Sequence, residues 1–174
     1  MASPKQQTAA TCSFVVGEDG LSRWSKPAAD AWIGLLETQR KLTRELDVLL
    51  DARHGIGLSE LEVLGRLAAA EDRRLRVSTL ATATGLSISR VSRLVDALER
   101  RSLVERKPCP GDGRAINAHL TDGGLELARA AQADHFAAVQ ERFFDQLDED
   151  EVATLAAVFA RFSPDAAEAC DADA

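Results

Sequence analysis

Apolar positions recur at helical spacing along most of the chain. After Ser25-Lys26-Pro27, the residues Trp32, Leu35, Leu36, Leu42, Leu46, Leu49 and Leu50 keep that spacing as far as Gly55. They predict a long first helix, with Ser25 as its cap and Pro27 in its first turn. Ser59-Glu60-Leu61-Glu62 reads as a capping box opening a second helix, whose apolar side is Leu61, Leu64, Leu67 and Ala68. Charged residues 71–76 form a connector, and Leu75–Val77 is placed to add a short strand. Ser78–Thr84 predicts a third helix and Gly85 a turn, where a left-handed conformation is easiest without a Cβ. Ser87 then caps a fourth helix with an inner face of Ile88, Val91, Leu94, Val95 and Leu98 and an outer face of Ser89, Arg90, Ser92, Arg93 and Asp96. Next the period shortens to two: Leu103–Lys107 and Ala115–Leu120 alternate as strands around the turn Pro108–Arg114. Thr121 caps a fifth helix reaching about Gln146. Asp148–Glu151 opens a sixth with Val152, Leu155, Phe159 and Phe162 inward, ended by Ser163-Pro164.

The predicted fold class is mostly α with a small β-wing: six helices and an antiparallel wing of two to three strands. Two short helices meeting at a glycine, followed at once by a hairpin, make the pattern of a winged helix-turn-helix, whose second helix fits the DNA major groove. Residues 57–120 are therefore expected to form the DNA-binding domain. Residues 25–56 and 121–163 are expected to form a helical dimerisation region, because their apolar faces exceed what one small winged module can cover. Residues 1–24 read as a flexible arm with a short ordered piece around Phe14–Val16, and 164–174 as a disordered acidic tail. No apolar run approaches the roughly 20 residues that span a bilayer, and the first residues lack the pattern of a signal peptide. The expectation is a cytoplasmic, nucleoid-associated protein without a membrane partner.

Charge changes this picture in one place. The chain carries a formal net charge of -7, which taken as an average opposes binding to phosphate. Residues 72–119, however, hold ten Lys and Arg against five acids, so this segment is +5 and the remainder -12. Local charge governs the approach to a polyanion. The chain reads as a basic module on an acidic scaffold.

The candidate chemistry follows from the outer face of the fourth helix. Burying its apolar side turns Ser89, Arg90, Ser92 and Arg93 outward beside the cap Ser87. Arg can take guanine O6 and N7 together, and Ser can exchange hydrogen bonds with base edges or phosphate. In the hairpin tip, Arg114 is placed to enter a narrow minor groove, with Asp112 to orient its guanidinium. Each feature also has a plainer reading, as a solvated helix face or an ordinary Gly/Pro/Asp turn. Cys12, Cys109 and Cys170 lie far apart without metal-ligand spacing, and the three histidines are isolated, so neither a metal site nor a cofactor is expected. Cys109 is the redox candidate, with Arg106 and Lys107 near enough to favour its thiolate; an inert thiol is the alternative. No nucleophile–base pair, phosphate-cradling loop or paired carboxylates suggests an enzyme.

The run from Leu80 to Gly124 resembles the DNA-binding region of the MarR family of bacterial transcriptional regulators. The likeness rests on Leu80-Ala81, Gly85-Leu86-Ser87, the helix ending Leu98-Glu99, Leu103-Val104, Asp112-x-Arg114 and Leu120-Thr121. Helix order extends it over roughly residues 28–162. The resemblance implies a homodimer held by the first, fifth and sixth helices, acting on double-stranded DNA at a pseudo-palindromic operator, most often as a repressor. It also implies a cleft for a small aromatic or phenolic effector, for which Trp32, Leu36, Arg40, Leu64 and His135 are candidates; they equally fit core and surface roles. A thiol redox-responsive regulator of the same fold, and a winged-helix interaction module that does not bind DNA, remain the alternatives.

Overall fold

The computed structural model describes residues 14–109 and 112–162, without the side chains of 109 and 112–115. The chain divides into two compact units, Met1–Arg44 and Glu45–Ala174, with the boundary inside the first helix.

In the first unit, Phe14–Val16 (β1) and Ser22–Trp24 (β2) pair antiparallel, Phe14 opposite Trp24. Residues 14–24 are thus a hairpin where an arm with one ordered piece was expected. The rings of Phe14 and Trp24 meet edge-on at 6.2 Å. Helix α1 (Lys26–His54) follows directly after Ser25, whose carbonyl accepts the Ala29 N–H. Only Leu46 and Leu50 of α1 are buried, both beyond the unit boundary, while Trp32, Ile33 and Leu35 are exposed.

The second unit holds the core. Helix α2 (Leu58–Ala69) starts two residues earlier than its Ser59 signal suggests, with Gly57 as N-cap. The Glu60 carboxylate accepts the Gly57 N–H at 2.9 Å, and Asp47 accepts from the Leu58 N–H at 2.8 Å. These side chains satisfy amides that a helix start leaves unpaired, so Ser59 is not needed as the cap. A 3-10 turn at Glu71–Arg73 leads into β3 (Arg74–Arg76), then α3 (Val77–Thr84). Gly85 adopts φ 65°, the left-handed conformation expected of the turn. Ser87 caps α4 (Ile88–Arg100), its hydroxyl accepting from the Arg90 N–H at 3.3 Å.

Strands β4 (Val104–Cys109) and β5 (Asp112–Leu120) run further into the predicted turn than the alternation showed, pairing Cys109 with Asp112. The sheet order is β3-β5-β4, with Arg74 opposite His119. Leu50, Ile56, Val63, Leu64, Leu67, Leu80, Val91, Val95, Leu98 and Val104 form a closed apolar core beneath it. Ile88, expected inward, is 60% exposed because it sits in the first turn of α4, outside that core.

Thr121 caps α5 (Asp122–Arg142) and also donates to the Leu103 carbonyl at 3.0 Å, tying the helix start to the base of the wing. Gly124 makes this approach possible: a Cβ there would lie 2.1 Å from the Leu103 oxygen. The helix ends at Arg142 rather than near Gln146, because Phe143 leaves the helical region at φ -125° and a 3-10 turn follows. Asp148 and Glu151 form the capping box of α6 (Glu149–Phe159). No residue of α6 is buried; Val152 and Leu155 are half-buried and Phe159 is exposed, as is Phe162 just beyond it, so the inward face expected of this helix is only partly covered among the described residues. Among the described residues no helix is long and apolar enough to cross a membrane.

Candidate nucleic-acid interface

Helix α4 is amphipathic in the strict sense that its two faces have different occupants. Val91, Val95 and Leu98 are wholly buried, whereas Ser87, Ser89, Arg90 and Arg93 are exposed. At 1.5 Å per residue the helix is about 20 Å long, and these four residues lie in its N-terminal half. Their hydrogen bonds go to uncharged groups. Ser87 and Ser89 exchange one at 3.1 Å, Arg93 Nε donates to the Ser89 carbonyl at 3.3 Å, and Arg90 Nη2 reaches Ser59 Oγ at 3.4 Å. None of these is a charge pair, so the two guanidiniums keep their charge available to an anion.

The basic segment divides once its partners are known. Arg73 pairs with Asp122 at 2.8 Å, Arg74 with Asp72 at 3.0 Å and Lys107 with Glu105 at 2.8 Å. Arg101 turns back to donate to the carbonyls of Gly55 at 2.6 Å and His54 at 3.0 Å, at the C-terminal end of α1. Arg106 is drawn onto α4, where Ser92 also spends its hydroxyl and carbonyl. Ser92 is consequently half-buried and does not stand with Ser89 and Arg93 as a free outward group. Arg90, Arg93 and Arg100 are the α4 cations without an ion pair among the described residues. Sequence reasoning counted every charge equally, whereas only the fold separates structural guanidiniums from available ones.

The side chains of Asp112, Arg114 and Cys109 lie outside the described residues, as do Cys12 and Cys170. What is described is the backbone that carries them, a hairpin continuous with the sheet and next to α4. Among the described residues no group of His, Cys, Asp and Glu is arranged to hold a metal ion.

A separate groove of about 520 Å³ opens between α2 and α5. Leu58, Leu61, Glu62, Arg66, Ala128 and His135 are among its lining. His135 is the one effector candidate that reaches it. Leu64 is wholly buried in the core, and Trp32, Leu36 and Arg40 belong to the first unit rather than to the unit that holds the groove. Burial holds the His135 imidazole below its ordinary pKa, and its Nδ1 has no hydrogen-bond partner among the described residues. Gln132 and Phe136, which also line the groove, fall at helical spacing on the same side of the fifth helix as His135, whereas Gly65 has no signal that would single it out.

Residues 54–115 match the profile of the MarR family. Over a much larger span, the chain is similar to AbsC, a MarR family transcriptional regulator from Streptomyces coelicolor, with 34% identity and a TM-score of 0.73, covering 87% of this chain and 99% of AbsC. The chain belongs to the MarR family. Another such MarR-family regulator from Streptomyces coelicolor, Sco3205, solved in complex with DNA, is 31% identical with a TM-score of 0.76, covering 81% of this chain and 89% of that one. The transcriptional repressor MprA of Escherichia coli is 31% identical over 94 residues, which are 54% of this chain and 53% of MprA. The match therefore spans about half the length of that curated relative. These MarR relatives are transcriptional regulators, not enzymes.

Proposed function

We propose that this chain is a sequence-specific DNA-binding transcriptional repressor, acting as a homodimer on a pseudo-palindromic operator. The observation that carries the reading is the exposed face of α4, where Ser89, Arg90 and Arg93 stand outward opposite the wholly buried Val91, Val95 and Leu98. Arg90 and Arg93 have the reach and charge for guanine edges and phosphates, and Ser87 and Ser89 for phosphate at a helix N-terminus. Arg114, oriented by Asp112, is assigned to the minor groove beside them. That Sco3205 was solved with DNA supports the same use of this fold here.

Dimerisation is supported by apolar surface left open in each unit: Trp32, Ile33 and Leu35 on α1, and Phe136, Phe159 and Phe162 at the C-terminal helices. Two-fold symmetry would space half-sites about one turn, roughly 10 bp, apart. The groove between α2 and α5 is the site we assign to a small aromatic effector, with the neutral His135 as hydrogen-bonding group and Arg66 as the cation for an acidic ligand.

The test is selection from a random duplex pool, followed by titration of the recovered duplex at several salt concentrations. A repressor of this kind recovers a two-fold symmetric sequence with salt-sensitive affinity. Failure to enrich any sequence would favour a protein-interaction module of the same shape. Thermal shift with hydroxybenzoic acids tests the effector, since a ligand of the folded state raises its midpoint. An unchanged midpoint in wild type would remove the groove from the proposal.

A further inference from the structure

Arg106 belongs to the basic segment by sequence, but its guanidinium is drawn onto α4 instead of facing outward. Its side chain is 20% exposed, and it points from β4 onto one stripe of α4. Nη2 donates to the Ser92 carbonyl at 2.7 Å and to Ser92 Oγ at 3.1 Å, and it pairs with Asp96 Oδ1 at 2.6 Å. Nε faces Glu99 Oε2 at 3.6 Å, and Glu99 Oε1 accepts the Arg106 backbone N–H at 3.1 Å. Ser92, Asp96 and Glu99 fall on one face of successive helical turns, so a single guanidinium joins the wing strand to the length of the reading helix.

We infer that Arg106 is a positioning residue, which sets the angle of the wing against α4 and makes no phosphate contact of its own. Two acidic side chains, themselves more than 40% exposed, already compensate its charge, and charge-assisted hydrogen bonds hold the largely covered guanidinium against α4 rather than leaving it free to meet an anion. A planar fork can bridge acceptors on different turns, whereas an ammonium is a point charge that cannot reach them together. Without the guanidinium, β4 would be held at α4 by the apolar contacts at its base and the one backbone hydrogen bond to Glu99, and Arg114 at the far end of the hairpin would lose its register with Arg93. The inference rests on the DNA-reading function proposed above.

The experiment compares Arg106→Lys, Arg106→Ala and Asp96→Ala with wild type. Each is titrated with the duplex that wild type selects, and amide exchange is measured on residues 104–107. A positioning role predicts that Arg106→Lys loses affinity nearly as far as Arg106→Ala, on the order of tenfold. The slope of log affinity against log salt stays at its wild-type value, and wing amides exchange faster in both. Asp96→Ala, which leaves the Arg106 charge in place, should weaken binding and loosen the same amides.

The opposite pattern overturns the inference. A phosphate contact predicts that Arg106→Lys binds like wild type and that Arg106→Ala lowers the slope by about 0.9. It also predicts that Asp96→Ala, which frees the guanidinium, binds more tightly. Unchanged amide exchange in all three variants is equally fatal, and that readout needs no DNA. It separates failure of the positioning role from failure of the DNA-reading function, which would appear as no selective duplex for wild type.

Discussion

His54 Nε2 meets Asp134 Oδ2 at 2.8 Å, joining the last residue of α1 to the middle of α5 across eighty positions of sequence. Arg53 takes the other oxygen of the same carboxylate at 2.7 Å. Both residues lie in the final turn of α1, where the helix dipole also favours the positive charge of Arg53.

The hydrogen bond from His54, and the nearby charge of Arg53, hold the Asp134 carboxyl below the 3.8 of an unperturbed aspartate. A carboxyl depressed in the folded state binds protons more readily when unfolded. It stabilises the fold above about pH 4, and this contribution disappears as pH falls through the depressed value. Asp134→Asn is expected to lower the midpoint of thermal unfolding at pH 7 and to flatten its decline below pH 4. Parallel acid profiles of the two proteins would show that the contact contributes nothing.

His119 and His135 titrate in a higher window. Burial lowers both below their ordinary 6.5, with Lys107 and Arg74 adding to the effect at His119. The unfolded chain therefore takes up protons first, so stability is full above about pH 6.5 and declines as pH falls towards the lowered values. His135→Leu removes one of these two contributions, and its stability profile between pH 6.5 and 5 is expected to be shallower than that of wild type. An equal slope in calorimetry would place the whole effect at His119.

Gly124 is the position where the wing base and α5 approach most closely. A methyl group there meets the Leu103 carbonyl at 2.1 Å and Leu120 Cδ1 at 2.8 Å. Backbone has to move to admit it, at a cost of about 1–3 kcal/mol. Gly124→Ala is expected to reduce the unfolding free energy by that amount in urea titration. Gly123→Ala, one residue earlier and open except for the Thr121 hydroxyl at 3.9 Å, is the neutral control.

Arg93→Ala is expected to relax preference at one base position of the selected duplex by ~1–3 kcal/mol, because a bidentate base contact is lost. Arg114→Ala is expected to weaken binding and reduce the salt slope by about one contact. A uniform loss across all duplexes for Arg93→Ala would make it a phosphate contact, and wild-type binding by Arg114→Ala would remove the wing tip from the interface.

Much of this architecture is legible along the chain, for local reasons. Gly85 marks the turn because only a residue without Cβ takes φ 65° at little cost, and Ser87, Thr121 and Asp148 mark helix starts by hydrogen bonds spanning three residues. Period alone separates α4 from β4 and β5. Where the signal is shared between distant residues it misleads. Ser59 looks like a cap, yet Gly57 with Glu60 and the remote Asp47 satisfies the start of α2. The hairpin at Phe14–Trp24 is too short for alternation to announce both strands.

The sequence by itself determined the order of helices and wing, the amphipathic face of α4 and the excess of positive charge around it, since these depend on neighbours within a few residues. Tertiary structure decided which cations remain available to a ligand. Arg101 turns to the carbonyls at the end of α1 and Arg106 to the side of α4, while Arg90 and Arg93 stay without ion pairs among the described residues. Charge is a property of composition; whether a charge is already compensated depends on partners that only folding brings within hydrogen-bonding distance.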